Sequence, residues 1–446
     1  MKLISLLGND ERTKKANKNA LMSIGIKGID ALTQFLLVPL TLGFLNPYEY
    51  GIWLTLNSIL VWINSFDIGL GNGLRNQLAA AVAKDDYKLA KSLVSTAFIM
   101  IAILMLIIMV IGGFFVLKIN WYSVLNANLE NVPNLDKVVY VSFALFCVNF
   151  MVKSVGNIYL AMQMPSINNL LVTMGHVLSL MIIFCLSFTT DRSLFKVALS
   201  FSASPVVIYI VAYPITFNIV YKKLKPEIYL FRKEYLNSLF NVSVLFFLLQ
   251  ISGVILFAMS NIIISNLFGP DQVTPYNISY RYFTLVNLLL SVLVQPIWTA
   301  VTDAQTKGDD KWIKDCVKKI ERLVLILGLI ILFMLLMSSF VYRLWVGTSV
   351  EIPFSLNLAI AFYVFITITS TAFSYFLNGM GKLRVQVINT VFVAIIFFPL
   401  CWFFGKSFGV NGVVATMCLL NFSGAILNYI QVKRITKKTA SGIWAK

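Results

Sequence analysis

Apolar runs recur along the chain at roughly 19–42, 48–75, 93–117, 137–163, 169–188, 196–220, 237–268, 275–300, 320–343, 354–380, 385–405 and 410–432. One bilayer crossing takes roughly 20 apolar residues in an α-helix, so the pattern predicts twelve membrane-spanning helices. The runs are continuous, whereas a barrel strand alternates apolar and polar positions over about 10 residues. The expected class is therefore all-α. Several runs exceed a minimal span, which predicts tilt or extension beyond the bilayer. The connections between runs are short, and none could fold as a soluble domain.

Three short segments recur. Asn46-Pro47 matches Gly269-Pro270, Lys84-Asp85-Asp86 matches Gly308-Asp309-Asp310, and Tyr159-Leu160-Ala161 matches Tyr375-Phe376-Leu377. The near-constant offset predicts two six-helix bundles of the same orientation, residues 1–225 and 226–446, related as parallel repeats about the membrane normal. The border falls in the basic stretch Tyr221–Tyr235.

Composition agrees with the pattern. The chain is 59% hydrophobic and 12% charged, half the charge of a typical soluble domain, which excludes a soluble globule and a disordered chain. The net charge of +17 raises the question of nucleic acid, and the placement of the charges answers it. Of 36 Lys and Arg, 27 fall in the N-tail, the C-tail and the 2–3, 6–7, 8–9 and 10–11 connections. Six fall on the opposite side: Lys118, Lys137, Arg192, Lys196, Arg343 and Lys406. By the positive-inside rule both termini are cytoplasmic, and the basic excess records topology, with no nucleic-acid partner. The five cysteines form no CxxC pair and no metal-type cluster, so reduced thiols and no metal site are expected. The polar, basic N-terminus and the long run that follows do not read as a cleavable signal.

Three basic residues, Lys27, Lys153 and Arg281, lie inside spans. An ionisable group at a helix centre costs about 2.5–3.5 kcal/mol on insertion scales, so each needs a partner or a wet cavity. Lys27 and Asp30 are three apart on one helical face. They form either a self-neutralising ion pair or a site where substrate or a proton competes for them. Lys153 sits between Asn149 and Asn157 at steps of four, an inward stripe or a lysine snorkelling to the interface. Asn277, Arg281, Thr284, Ser291 and Gln295 form a long stripe of the same kind. Arginine there suits phosphate recognition, and the bland alternative is a bond to a backbone carbonyl. Asn57, Asn64 and Asp67 form a third stripe that ends near Arg75, an interfacial salt bridge, a gate or a substrate contact.

His176, the single histidine, reads as a bond between helices or as a proton relay. Gly69, Gly71 and Gly73 follow a helix instead of a strand, which argues against nucleotide binding. The in-span balance of Lys27, Lys153 and Arg281 against Asp30 and Asp67 favours an anionic ligand.

Leu45-Asn46-Pro47-Tyr48-Glu49-Tyr50-Gly51 after the first span and Phe66-Asp67-Ile68-Gly69-Leu70-Gly71 closing the second resemble the polysaccharide-exporter branch of the MATE/MOP flippase superfamily. The Tyr159–Met164 stretch is similar to the same group, and the nearest type is the Wzx O-antigen flippase. The resemblance covers nearly the whole chain. It implies a multi-pass protein of the bacterial inner membrane that moves an undecaprenyl-diphosphate-linked oligosaccharide, an O-antigen or capsular repeat unit of lipopolysaccharide or polysaccharide biosynthesis, between leaflets by alternating access. Its expected partners are that polyprenyl-diphosphate-linked glycan, membrane lipids and other polysaccharide-assembly proteins.

In that scheme Lys27, Lys153 and Arg281 hold the diphosphate. Asp30, Asp67 and Arg75 couple or gate, with H⁺ or Na⁺ as the coupling ion and no other cofactor. Asn57, Asn64, Asn149, Asn157, Asn277, Thr284, Ser291 and Gln295 line the lumen. No residue is expected to be catalytic. The rivals are a cation-coupled multidrug exporter or a lipid II flippase of the same fold and, from another class, a membrane-embedded polysaccharide polymerase or ligase.

Overall fold

The computed structural model describes residues 11–61, 70–162, 164–188, 192–235 and 259–445, and the described residues form helices and connections without strands. The helices are α1 (Glu11–Phe44), α2 (Pro47–Leu60), α3 (Leu70–Ala83), α4 (Tyr87–Lys118), α5 (Leu135–Ala161), α6 (Pro165–Ser187) and α7 (Leu194–Val220). They continue with α8 (Met259–Phe268), α9 (Pro270–Lys307), α10 (Asp310–Trp345), α11 (Phe354–Gly379) and α12 (Arg384–Thr436). Among the described residues, 8 helices are long and apolar enough to cross a membrane. Large apolar side chains stand uncovered along them, such as Leu325, Leu329, Leu336 and Phe340 on α10, while Val324, Leu327, Ile331 and Leu335 are buried on its other face. Apolar surface on this scale is a lipid-facing surface, and the chain is a multi-pass membrane protein.

The chain divides into two compact units. The first comprises residues 1–49 and 56–250, and the second residues 50–55 and 251–446. In the first unit α1 lies against α6, α7 against α5 and α6, and α3 against α4 and the end of α5. In the second, α11 is central and packs on α9, α10 and α12.

Local chemistry explains the helix ends. Asn46 Oδ1 accepts from Glu49 N at 2.8 Å, and Glu49 Oε2 accepts in return from Asn46 N at 3.3 Å. This capping box satisfies donors that the first helical turn leaves open, and Pro47 follows at a position where its missing N–H costs nothing. The Leu45–Gly51 motif is thus a helix start. Gly51 faces Pro270 within the second unit, where a Cβ would overlap the Pro270 carbonyl.

The repeat is visible in the backbone. Asp85 (φ 55) and Gly308 (φ 69) both turn left-handed. The next residue caps a helix in each case: Asp86 accepts from Leu89 N at 2.9 Å and Asp309 from Trp312 N at 3.0 Å. Asp86 N donates to Ala81 O, and Asp309 N to Ala304 O. Asp85 therefore corresponds to Gly308, one residue away from the Asp-Asp alignment read in the sequence. This is the same register that relates Asn46-Pro47 to Gly269-Pro270. At the turn after α5, Met164 N donates to Tyr159 O, and after α11 Lys382 N donates to Leu377 O. Tyr159 thus matches Leu377, two residues from the tyrosine-to-tyrosine match.

The spans expected at 385–405 and 410–432 run as one element, α12, interrupted at Gly409 (φ 66, ψ −154). A Cβ at Gly412 would overlap the Phe404 carbonyl, so the bend needs glycine at both places. After α7 the basic connection folds back over the start of α4. Ser92 Oγ donates to Leu230 O at 2.8 Å, Ser95 Oγ accepts from Glu227 N and Thr96 Oγ1 accepts from Arg232 N. Lys91 pairs with Glu227 at 2.7 Å, and that ammonium holds the Glu227 carboxyl below the usual carboxylate range.

Candidate functional site

The ionisable cluster of the first unit is built by α1 and α6. Asp30 Oδ1 meets His176 Nδ1 at 2.6 Å, and Gln34 Nε2 donates to Asp30 Oδ2 at 2.8 Å. Thr173, buried on α6, lies beside the carboxylate. Gln34 is one helical turn from Asp30, and Thr173 is three residues from His176, so each helix supplies two groups on one face. The partner of Asp30 is thus a histidine on another helix, and Lys27 is exposed. His176 ties two helices together, as one of its two sequence readings had it. The same geometry brings a carboxylate and an imidazole into direct hydrogen-bond contact.

Lys153 lies where the α-type bonding of α5 is interrupted for one turn. Lys153 (φ −63, ψ −15) and Ser154 (φ −55, ψ −22) keep helical angles, and Gly156 N and Asn157 N bond back three residues to the carbonyls of Lys153 and Ser154 at 2.8 and 3.1 Å. Lys153 is half-buried, and its Nζ stands 4.2 Å from the Phe150 ring centre. Asn149 Oδ1 is buried and has no hydrogen-bond partner among the described residues. Asn157 is half-buried on the other side of the interruption. The stripe Asn149, Lys153, Asn157 therefore straddles an interrupted helix.

Arg281 sits half-buried on α9, close enough to Tyr50 for its charge to act on that hydroxyl. The rest of its stripe is largely spoken for. Asn277 is 3% exposed, and its Nδ2 donates to Asn261 Oδ1 at 2.8 Å and to Val273 O at 2.9 Å. Thr284 Oγ1 donates to Tyr280 O and Ser291 Oγ to Leu288 O, which is ordinary helical back-bonding. Asn57 is half-buried on α2 and Arg75 is exposed on α3. Asn64, Asp67 and the Gln295 side chain lie outside the described residues.

Among the described residues no group of three or more His, Cys, Asp or Glu could hold a metal ion. All five cysteines are free. A polar cavity in the second unit, lined from α11 and α12, includes Ser370, Gln386 and Asn389. It escaped the sequence reading because its residues are neutral. The signal that could have found it is the coincidence of short amide and hydroxyl stripes on three neighbouring runs.

Residues 16–302 match the family described as polysaccharide biosynthesis protein. A protein of Yersinia pseudotuberculosis described as an O-antigen export protein is 24% identical over 409 residues, covering 87% of this chain and 89% of the relative. A protein of Salmonella typhimurium described as an O-antigen transporter is 22% identical over 427 residues, covering 91% and 94%. Among solved structures, the inward-facing conformation of a multidrug resistance MATE family transporter of the MOP superfamily aligns with a TM-score of 0.71. It covers 99% of this chain and 98% of that one at 16% identity, a likeness that establishes the fold. The fold is the one seen in that transporter, and the chain belongs to the polysaccharide biosynthesis protein family.

Proposed function

We propose that the protein is a flippase that moves an undecaprenyl-diphosphate-linked oligosaccharide, an O-antigen or capsular repeat unit, across the bacterial inner membrane. The relatives described as an O-antigen export protein and an O-antigen transporter support a polysaccharide transporter, which is not an enzyme. The observation that carries the finer reading is the set of basic groups in the helices. Lys27, Lys153 and Arg281 outnumber the in-span carboxylates Asp30 and Asp67, and Asp30 is engaged by His176. A cationic drug would ask for the opposite balance.

In this reading twelve spans form two six-helix halves, residues 1–225 and 226–446, with both termini in the cytoplasm. Lys27 and Lys153 attract the diphosphate from the inner leaflet, and Arg281, able to bond phosphate oxygens in a fork, holds it after the halves rock. The glycan lies along the amide and hydroxyl stripes while the polyprenyl chain stays in lipid. Diphosphate offsets the repulsion among the basic groups, so it favours the occluded state. Such differential affinity is what a ligand needs in order to shift a conformational equilibrium. The Asp30–His176 pair is the proposed entry point for H⁺ coupling, and Asp67 with Arg75 the proposed cytoplasmic gate. Other polysaccharide-assembly proteins receive the flipped unit.

Lys153→Ala and Arg281→Ala should each lower surface glycan by at least about tenfold, since one charge-assisted bond to phosphate contributes about 1.5–3 kcal/mol. Immunoblots of membranes should show undiminished protein. Normal surface glycan in both variants overturns the assignment.

A further inference from the structure

The cavity of the second unit lies between α11 and the two arms of α12, with a volume of about 110 Å³. No charged side chain lines it among the described residues. The bonds already made in its wall define what remains to be offered. Asn428, 4% exposed, donates through Nδ2 to Ser374 Oγ at 2.8 Å and to Ser370 Oγ at 3.2 Å. Both serine oxygens accept, so their hydroxyl hydrogens are left to donate. Asn421 gives one Nδ2 hydrogen to Met417 O at 2.9 Å, and its amide has a second N–H and a carbonyl oxygen besides. Gln386 Nε2 is buried and has no hydrogen-bond partner among the described residues. A buried donor without a partner costs about 1–3 kcal/mol, so this amide is poised for a ligand or water.

The wall therefore presents donors and acceptors side by side with no net charge. An anion only accepts, and a hard cation seeks carboxylate and carbonyl oxygens, so neither matches this set. A neutral polyol matches, because each of its hydroxyls donates and accepts at once. Thr390, Val393 and Leu420 also line it, and the two aliphatic side chains offer the apolar contact that the C–H face of a sugar ring needs. At Gly424 a Cβ would stand 3.3 Å from both Asn389 Nδ2 and Ser370 Oγ, so glycine keeps the volume open. An engineered cavity of about 150 Å³ admits benzene, so a pocket of about 110 Å³ takes one edge of a sugar ring with its hydroxyls and leaves the rest of the ring outside.

The first unit lacks this arrangement at the matching place. In the register that equates Met164 with Lys382, Ser374 and Gln386 correspond to Gly156 and Asn168. There the Asn168 amide lies against Gly156 so closely that a Cβ on the glycine would overlap it.

We propose that the second unit carries a neutral carbohydrate subsite, the α11–α12 pocket, which binds one uncharged sugar ring of the cargo through its hydroxyls. This rests on the reading of the protein as a glycan transporter, and it assigns sugar recognition to residues separate from those proposed for the diphosphate.

The test uses the full-length protein in nanodiscs and saturation-transfer NMR. The probes are glucose, galactose, mannose and N-acetylglucosamine, with glucuronate and pyrophosphate as charged comparators. At least one neutral sugar should receive saturation, and its apparent affinity should fall about tenfold in the Gln386→Met/Asn389→Leu variant, as expected for two lost hydrogen bonds. Should that variant fail to fold, judged by its unfolding midpoint, Gly424→Ala decides, because it narrows the pocket with one methyl group. Silence from every neutral sugar, binding unchanged in the folded variants, or stronger signals from the charged comparators overturns the subsite. Transport itself is decided by the Lys153 and Arg281 variants, so a silent pocket in a chain whose export depends on those residues overturns the subsite alone.

Discussion

The two units share their turns and differ in what they hold inside. Each has a left-handed residue followed by an aspartate cap, Asp85-Asp86 in one and Gly308-Asp309 in the other. The first unit then places ionisable groups within its bundle, with Asp30 on His176 and Lys153 at an interrupted helical turn. In the second, α11 runs unbroken through Thr371 and Ala372, the positions that match Lys153 and Ser154. Apart from Arg281, half-buried on α9, and the unpartnered Gln386 amide, many of its interior polar groups are neutral and bond one another. Ser279 and Tyr342 both donate to Asn357 Oδ1, and Asn277 to Asn261. His176 itself corresponds in register to Ala394. A repeated scaffold has thus kept the chemistry of its turns, where the backbone dictates it, and has diverged where a ligand or a proton could act.

The contrast can be broken most forcefully at the matched pair Gly156 and Ser374. Gly156→Ala pushes a methyl group into the Asn168 amide and should cost about 1–3 kcal/mol, the range for overpacking a tight site. Ser374→Ala leaves Asn428 with Ser370 as its acceptor and should cost under about 1 kcal/mol. Unfolding midpoints of the two variants in the same detergent decide it, and equal losses would remove the claim that one pocket is closed and the other open.

A smaller effect is expected at the Asp30–His176 hydrogen bond. Hydrogen bonds between membrane helices contribute about 0.6–1.7 kcal/mol in double-mutant cycles. A cycle of Asp30→Asn and His176→Phe should return a coupling in that range, and a coupling of zero would deny the pair any role in joining α1 to α6.

The smallest effect tests the shared turn. Asp86→Ala and Asp309→Ala each remove a side-chain cap and should each cost about 1 kcal/mol. Gly308→Ala should add a similar loss at its positive φ, whereas Asp85→Gly should be neutral or slightly stabilising. Unequal cap losses, measured by thermal unfolding, would show that the turns are alike in shape alone.

Most of the fold could be read from the chain. Span length and continuous hydrophobicity marked the helices. The repeat was found a residue or two out of step because identical side chains were matched. The turn is set by backbone angles, which equate Asp85 with Gly308. The site was less legible. Lys27 and Asp30 share a helical face, and nothing in that spacing announces that His176, 146 positions after Asp30, takes the carboxylate. Lys153 stood out by its charge, but the interrupted turn that carries it is a tertiary feature. Spacing put Asn277 in a polar stripe, and a stripe has no way to show that Asn261 also bonds it. Gln386 and Asn389 carry no charge and belong to no motif, so composition could not flag them.

The account stands or falls on what crosses the membrane. The direct measurement is the leaflet in which the lipid-linked oligosaccharide resides when the gene is deleted, read by the access of an impermeant lectin to right-side-out and inverted membrane vesicles. The account predicts that the oligosaccharide accumulates on the inner leaflet, is reached only in inverted vesicles, and returns to the outer leaflet with the wild-type chain but not with Lys153→Ala or Arg281→Ala. Normal appearance of the oligosaccharide on the outer leaflet of the deletion strain would contradict it.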